Sequence, residues 1–236
     1  SRNRKLMPVS MEKRLRPLQD LEVDKLMIHE IYGSIQGEST YAGLPCTFVR
    51  TTACNLRCTW CDTAHAFGKG QVMEIDEVFE QVSKMGPRLV EITGGEPLLQ
   101  PAVLPLMTKF LDAGFQVLLE TSGSLDIGPV DSRVVKIVDL KAPDSGEVEA
   151  NDWSNIEKLS PHDEIKFVLQ SRVDYEWARD VIAEHSLAGR CELLVGTVFE
   201  KLKPETLVDW IVEDNLPVRM QLQMHKYIWD PRQRGV

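Results

Sequence analysis

The stretch CTFVRTTACNLRCTWCDT, residues 46–63, joins two unlike pieces: an apolar run rich in β-formers, then a polar loop with three cysteines in eight positions, Cys54, Cys58 and Cys61. Working outward, the same kind of junction recurs. GGEP follows RLVEIT, TSG follows FQVLLE, and KAP follows VVKIVDL. Further runs of strand character are LMIHEIY, EIKFVL, CELLVG and VRMQLQ. Helical patterns lie between several of them. In EIDEVFEQVSKM the residues Ile75, Val78, Phe79, Val82 and Met85 recur three or four apart and share one helix face. Pro101 and Pro204 stand where first helical turns would begin, and Gly86 and Gly114 where helices would stop. Strand, helix, strand order implies parallel strands joined by right-handed crossovers. The expected fold class is therefore α/β: a partial or modified (β/α) TIM-like barrel of parallel strands, with a doubly wound open sheet as the alternative. In either case a site belongs at the carboxyl ends of the strands, where these motifs fall.

The chain has 236 residues with 43% hydrophobic content, enough for one large domain. Residues 1–25 alternate charge and apolar character without a period and read as a loose N-terminal arm, leaving residues 26–236 as a single domain. Thirty-six acidic against 27 basic residues give a net charge of -9, which repels a nucleic acid backbone or an anionic membrane. No apolar run is long enough to span a bilayer and no secretory leader pattern is found, so a cytoplasmic location is expected, with neither nucleic acid nor membrane as a partner. Five cysteines, three of them clustered, make a poor disulfide framework. Cys46 and Cys191 lie alone in apolar stretches and read as small buried hydrophobes.

Three thiolates on one compact loop suit a single inorganic centre. A structural zinc wants four ligands, and His65, four residues after Cys61, could complete a Cys3His site. An iron-sulfur cluster with three cysteine ligands leaves one iron open for a small molecule. Spacing alone leaves both open. TGGEP, residues 93–97, favours the second, because its glycines let backbone approach a ligand and Glu96 offers an acceptor to an ammonium group.

Together the three-cysteine loop and the GGEP stretch resemble the radical S-adenosylmethionine superfamily. The resemblance implies a 4Fe-4S cluster on Cys54, Cys58 and Cys61, whose open iron chelates S-adenosylmethionine and, on reduction, releases a radical that abstracts a hydrogen atom from the substrate. YGSIQGES, FVRTTACNLRCTWCDT, ITGGEPLLQ, ETSG, DLKAP, KFVL and QLQMHKYIW extend the match, which resembles the 7-carboxy-7-deazaguanine synthase family from about Leu26 to the C-terminus. That resemblance implies ring contraction of 6-carboxy-5,6,7,8-tetrahydropterin with loss of ammonia, a step toward queuosine and related deazapurines. It also implies an external electron donor and a homodimer.

Carried over residue by residue, the resemblance implies substrate contacts at Ile35, Gln36, Gly37, Glu38, Arg50, Thr93, His225 and the Val236 carboxylate. It implies Mg2+ on Thr63, and S-adenosylmethionine against Trp60, Cys61, Asp62, Gly95, Glu96, Ser122 and Lys141. The chemistry suits these residue types: an amide and a carboxylate read the edge of a pterin, and a planar guanidinium grips a carboxylate. Two positions depart from the family pattern. Ser39 follows QGE where glycine is common, and Ala53 precedes CN where glycine is common. VGTVFE, residues 195–200, also departs, and no role is carried onto it. A glycyl-radical-activating enzyme is the nearest rival reading, and QGE, CDT and QLQMHK count against it. A zinc-bearing binding module built on Cys54, Cys58, Cys61 and His65 is the rival from another class.

Overall fold

The structure is a computed structural model and describes residues 10–236. Among them, nine strands form one sheet: β1 (Lys25–Ile35), β2 (Pro45–Thr51), β3 (Gln71–Glu74), β4 (Leu89–Gly94), β5 (Gln116–Thr121), β6 (Val135–Asp139), β7 (Glu164–Leu169), β8 (Glu192–Thr197) and β9 (Arg219–Met220). Their order in the sheet is β3-β1-β2-β4-β5-β6-β7-β8-β9. From β2 to β9 every pairing is parallel, while β1 runs antiparallel to both β2 and β3. The parallel strands follow chain order with no reversal, which is the arrangement of a barrel wall; a doubly wound sheet would reverse. The sheet keeps two edges, so the barrel is partial, as expected.

The helices are α1 (Met11–Leu15), α2 (Ile75–Ser83), α3 (Val103–Asp112), α4 (Arg172–Glu184), α5 (Pro204–Glu213) and α6 (His225–Ile228). The three-to-four spacing read from residues 74–85 builds α2, which a capping box of Glu74 and Glu77 starts. Pro204 opens α5 at its first position. Burial divides cleanly between the faces of the sheet. Outward residues such as Val49, Ile92, Val117 and Leu119 pack against α2 and α3, where Leu106, Met107 and Phe110 are fully buried. Outward Ile165, Phe167 and Val195 pack against Tyr175, Ala178 and Ile182 of α4 and Leu207 of α5. Inside the barrel a smaller cluster of Cys46, Phe48, Leu89, Leu118, Val135 and Ile137 fills one end.

The loop of residues 36–44 closes that end. It leaves the end of β1 and reaches the starts of two other strands: Thr40 donates to Glu164 of β7, and Gln116 of β5 donates to Tyr41 at 2.9 Å. The segment after β9 then ties to the same loop through Met224 N–Gly37 O at 2.9 Å and Ser39 N–Gln221 Oε1 at 2.8 Å. These bonds bridge the gap that strand pairing leaves open.

Two sequence expectations change. The short strand β3 lies between the cysteine loop and α2 and has no strong strand signature; its four residues, mostly exposed, pair only with β1 at the sheet edge. The N-terminal arm is not loose where it is described. Residues 11–18 are helical, and Arg14 donates to the Asn55 carbonyl at 2.6 Å and pairs with Glu147 at 3.2 Å, because the cysteine loop offers a carbonyl and the segment after β6 a carboxylate that a guanidinium can satisfy together. Arg2, Arg4 and Lys5 of the arm lie outside the described residues. No helix among the described residues is long and apolar enough to cross a membrane.

Candidate active site

Along the inward faces of β2, β4, β5 and β6, apolar residues at the closed end give way to polar ones toward the carboxyl end. Phe48 is followed by Arg50, Leu89 by Glu91 and Thr93, Leu118 by Glu120, and Ile137 by Asp139, at the two-residue spacing that keeps side chains on one face. Lys166 and Val168 continue the layer on β7. This ring forms the floor of a cavity of about 510 Å³, and the cysteine loop lies along its rim.

The loop is held from several sides. Ala53 N donates to the Ala66 carbonyl at 2.9 Å, Thr59 N to Ser145 O at 3.0 Å, and Asn55 Nδ2 to Ser124 Oγ at 2.9 Å. Arg57 donates to the carbonyls of Cys54 and Leu56 and lies over the Phe67 ring at 4.1 Å. The Gly94–Gly95 turn sits directly against this loop: Glu96 N donates to Ala53 O at 2.8 Å, and a β-carbon on Gly95 would fall 1.8 Å from that oxygen. Only glycine permits this approach.

All three thiols face the cavity and are free, with burial pushing Cys54 up to about 12 and Cys58 up to about 11. A zinc ion with Zn–S of about 2.3 Å would draw its sulfurs to within about 4 Å of one another. Among the described residues, the one trio of ligand-type groups whose donor atoms all approach within 4.8 Å excludes every cysteine. The three sulfurs do not all approach one another as closely as a single zinc ion would draw them, and His65 Nε2 stands 3.7 Å from Glu30. The Cys3His zinc reading is not supported.

Of the expected cofactor residues, Trp60, Cys61, Asp62, Gly95, Ser122 and Lys141 line the cavity with Thr63. Glu96 does not. Its carboxylate is fully buried and accepts from Leu98 N, Thr121 Oγ1, Ser122 N and Ser122 Oγ, so it braces the strand ends. Lys141 pairs with Asp139 at 2.8 Å; burial pulls its ammonium down, and the charges of Asp139 and Cys58 more than restore it. Thr63 Oγ1 has only long contacts, 3.5 Å to Gly94 O and 3.7 Å to Cys61 Sγ, which leaves its lone pairs available.

The expected substrate residues Ile35, Gln36, Gly37, Glu38, Arg50, Thr93, His225 and Val236 also line this one cavity. Arg50 is held by Glu30 at 2.8 Å and Tyr32 at 3.0 Å. Gly37 faces His225, whose ring would stand 2.4 Å from a β-carbon there. Residues 231–236 fold over the opening, Val236 among them.

A buried network beneath these groups was missed in the sequence. Lys166 pairs with Glu120 and, at 3.0 Å, with Glu38, which also accepts from Gln223 at 3.0 Å. Gln36 donates to Glu91. Burial and the neighbouring Glu120 charge push the Glu91 carboxyl well above the usual range; Glu120, although half-buried, is held low by Lys166. The two neighbouring carboxyls are thus driven in opposite directions, Glu91 toward its neutral form and Glu120 toward its charged one. The available signal was a charge inside an otherwise apolar strand, as in LVEIT, VLLE, KIVDL and EIKFVL.

The sequence profile of the Radical SAM superfamily matches residues 48–184, from β2 through α4. The chain belongs to the radical S-adenosylmethionine superfamily, an α/β fold with its site at this end of the barrel. The QueE crystal structure from Escherichia coli has the same fold, with a TM-score of 0.71 and 21% identity over 84% of this chain and 94% of that one. The 7-carboxy-7-deazaguanine synthase of Koribacter versatilis is 47% identical over 226 residues, covering 89% of this chain and 100% of the relative. That of Chlorobaculum tepidum is 47% identical over 215 residues, covering 89% and 97%. Within the superfamily, the chain is a member of the 7-carboxy-7-deazaguanine synthase family.

Proposed function

We propose that the chain converts 6-carboxy-5,6,7,8-tetrahydropterin to 7-carboxy-7-deazaguanine with loss of ammonia, in deazapurine biosynthesis. The observation that carries the reading is the ring of Gln36, Glu38, Arg50, Glu91, Thr93, Glu120 and Lys166 beneath the cysteine loop, in one cavity. Amide, carboxylates and guanidinium together complement a flat heterocycle that bears amino groups at one edge and a carboxylate at the other. The size of the cavity suits a small molecule.

Cys54, Cys58 and Cys61 would hold the 4Fe-4S cluster, and S-adenosylmethionine would lie between Trp60, Asp62, Gly95, Ser122 and Lys141. When bound, this pair supplies one-electron chemistry that generates a hydrogen-abstracting radical. The chain does the rest. Arg50 meets the substrate carboxylate, Gln36 and Glu38 orient the ring with the backbone of Ile35 and Gly37, and Thr93 and His225 pack beside it. The tail to Val236 covers the opening, and Glu91, whose carboxyl is pushed up by burial and by the Glu120 charge, lies below the ring. Thr63 would hold Mg2+, whose preference for oxygen ligands matches a hydroxyl and a substrate carboxylate. An external electron donor, a homodimeric state and a cytoplasmic location belong to the same reading.

An anaerobic assay of the iron-loaded chain with this pterin, S-adenosylmethionine, Mg2+ and a reductant tests it. 7-Carboxy-7-deazaguanine and 5'-deoxyadenosine are expected together by mass spectrometry, and neither from Cys58→Ala. Deoxyadenosine without the deazapurine would reject the substrate and keep the cofactor assignment.

A further inference from the structure

Between Ile28 and Glu30, β1 advances two residues while β2 advances one, from Thr51 to Arg50. His29 is therefore an extra residue, a bulge. In a regular strand neighbouring side chains point to opposite faces; a bulge breaks that alternation and re-aims one of them. The consequence is local and specific. One ring nitrogen of His29, one carboxylate oxygen of Glu30 and one ring nitrogen of His65 all lie within 4.8 Å of one another, the one such trio among the described residues.

The surroundings prepare these groups for a ligand. His29 Nδ1 stands 2.7 Å from the Lys69 carbonyl, which fixes the proton on Nδ1 and leaves Nε2 with an open lone pair. A carbonyl behind an imidazole is the usual support of a metal-binding histidine. His65 Nε2 is buried, makes no hydrogen bond and stands 3.7 Å from Glu30 Oε1. The two imidazoles are tilted by 58°, with centroids 5.1 Å apart, so they converge edgewise and do not stack.

We propose that His29, Glu30 and His65 form a second inorganic site, separate from the cysteine loop, that takes a single divalent transition ion of the zinc class. Two neutral imidazoles and a carboxylate are a donor set for such an ion, with a position left for water, whereas Mg2+ prefers oxygen alone. Glu30 also accepts from Arg50 Nε at 2.8 Å. An ion at the trio competes for that carboxylate and so acts on the guanidinium that faces the main cavity. The charge of Arg50 opposes a second cation at Glu30, so the trio should hold its ion less tightly than a structural zinc site would.

The test titrates Zn2+ into the full chain with its iron and sulfide content verified, against a chromophoric chelator, and reads the zinc X-ray absorption edge. One Zn2+ per chain is expected, with only nitrogen and oxygen neighbours at about 2.0–2.1 Å. Affinity should fall about tenfold or more in His29→Ala and in His65→Ala, with iron content unchanged in His29→Ala. A shell of sulfur at about 2.3 Å would place the zinc on the cysteines and overturn the proposal. So would unaltered affinity in His29→Ala, or no zinc uptake at about 100 μM, well above the Kd such a donor set should show.

Discussion

Ser39 and Ala53, the two positions that depart from the family pattern, both adopt left-handed backbone, with φ of 65° and 75°. A side chain there costs about 1–2 kcal/mol against glycine. Ser39 recovers part of this because its hydroxyl accepts from Tyr41 N at 3.1 Å; Ala53, fully buried, has no such return. Ala53→Gly is expected to stabilise the metal-free chain by about 1 kcal/mol in urea denaturation, and Ser39→Gly by less. Glu91 makes a second prediction at this scale. Its folded pKa is raised, so the folded chain holds the proton more tightly than the unfolded chain, whose glutamates titrate near about 4.3. The cost of folding is then absent below that pH and grows as pH rises toward the raised value. Stability curves of wild type and Glu91→Gln should therefore separate in favour of Gln as pH rises above about 4.3, and a constant difference would count against a raised Glu91 carboxyl. Lys166→Met removes the buried cation that the half-buried Glu120 and Glu38 share, a loss of about 3 kcal/mol by analogy with other broken buried pairs. Turnover should fall by about 100-fold or more, read by product formation at saturating cofactor.

At the scale of elements, the strands do two jobs on opposite faces. Outward positions bind the helices, and inward positions carry the polar ring, so the same EIKFVL run supplies both Phe167 to the core and Lys166 to the cavity. The sequence made the strands legible through their β-branched runs, and the cysteine and GGEP loops through their composition. It hid the inward ring because a lone charge in an apolar strand shows no face until the strand is paired. The last element, α6 with its tail, is held by side-chain ties such as Lys226 to Asp62 at 2.9 Å and Gln223 to Glu38. Deleting residues 231–236 should leave iron loading intact and raise the substrate KM by about tenfold, since these residues line the cavity without reaching the core.

At the scale of the molecule, Glu147 joins three distant parts of the chain: it pairs with Arg14 of the arm and accepts from Arg57 N in the cysteine loop. Removing residues 1–18 is expected to speed iron loss to a chelator severalfold, with the far-ultraviolet spectrum little changed, because the loop loses a brace and the barrel does not.

The sequence by itself determined the parallel α/β fold, the strand ends as the place of the site, and the three thiols with their glycine turn. Each of these depends on local spacing and residue type, which a linear chain displays. Tertiary structure alone decided that Glu96 is a buried brace, that Arg14 docks on the loop, that Glu91, Glu120 and Lys166 form one ring, and that a bulge turns His29 toward His65. Those outcomes depend on which strands become neighbours and on how the backbone bends between them, and such long-range pairing has no signature in sequence spacing.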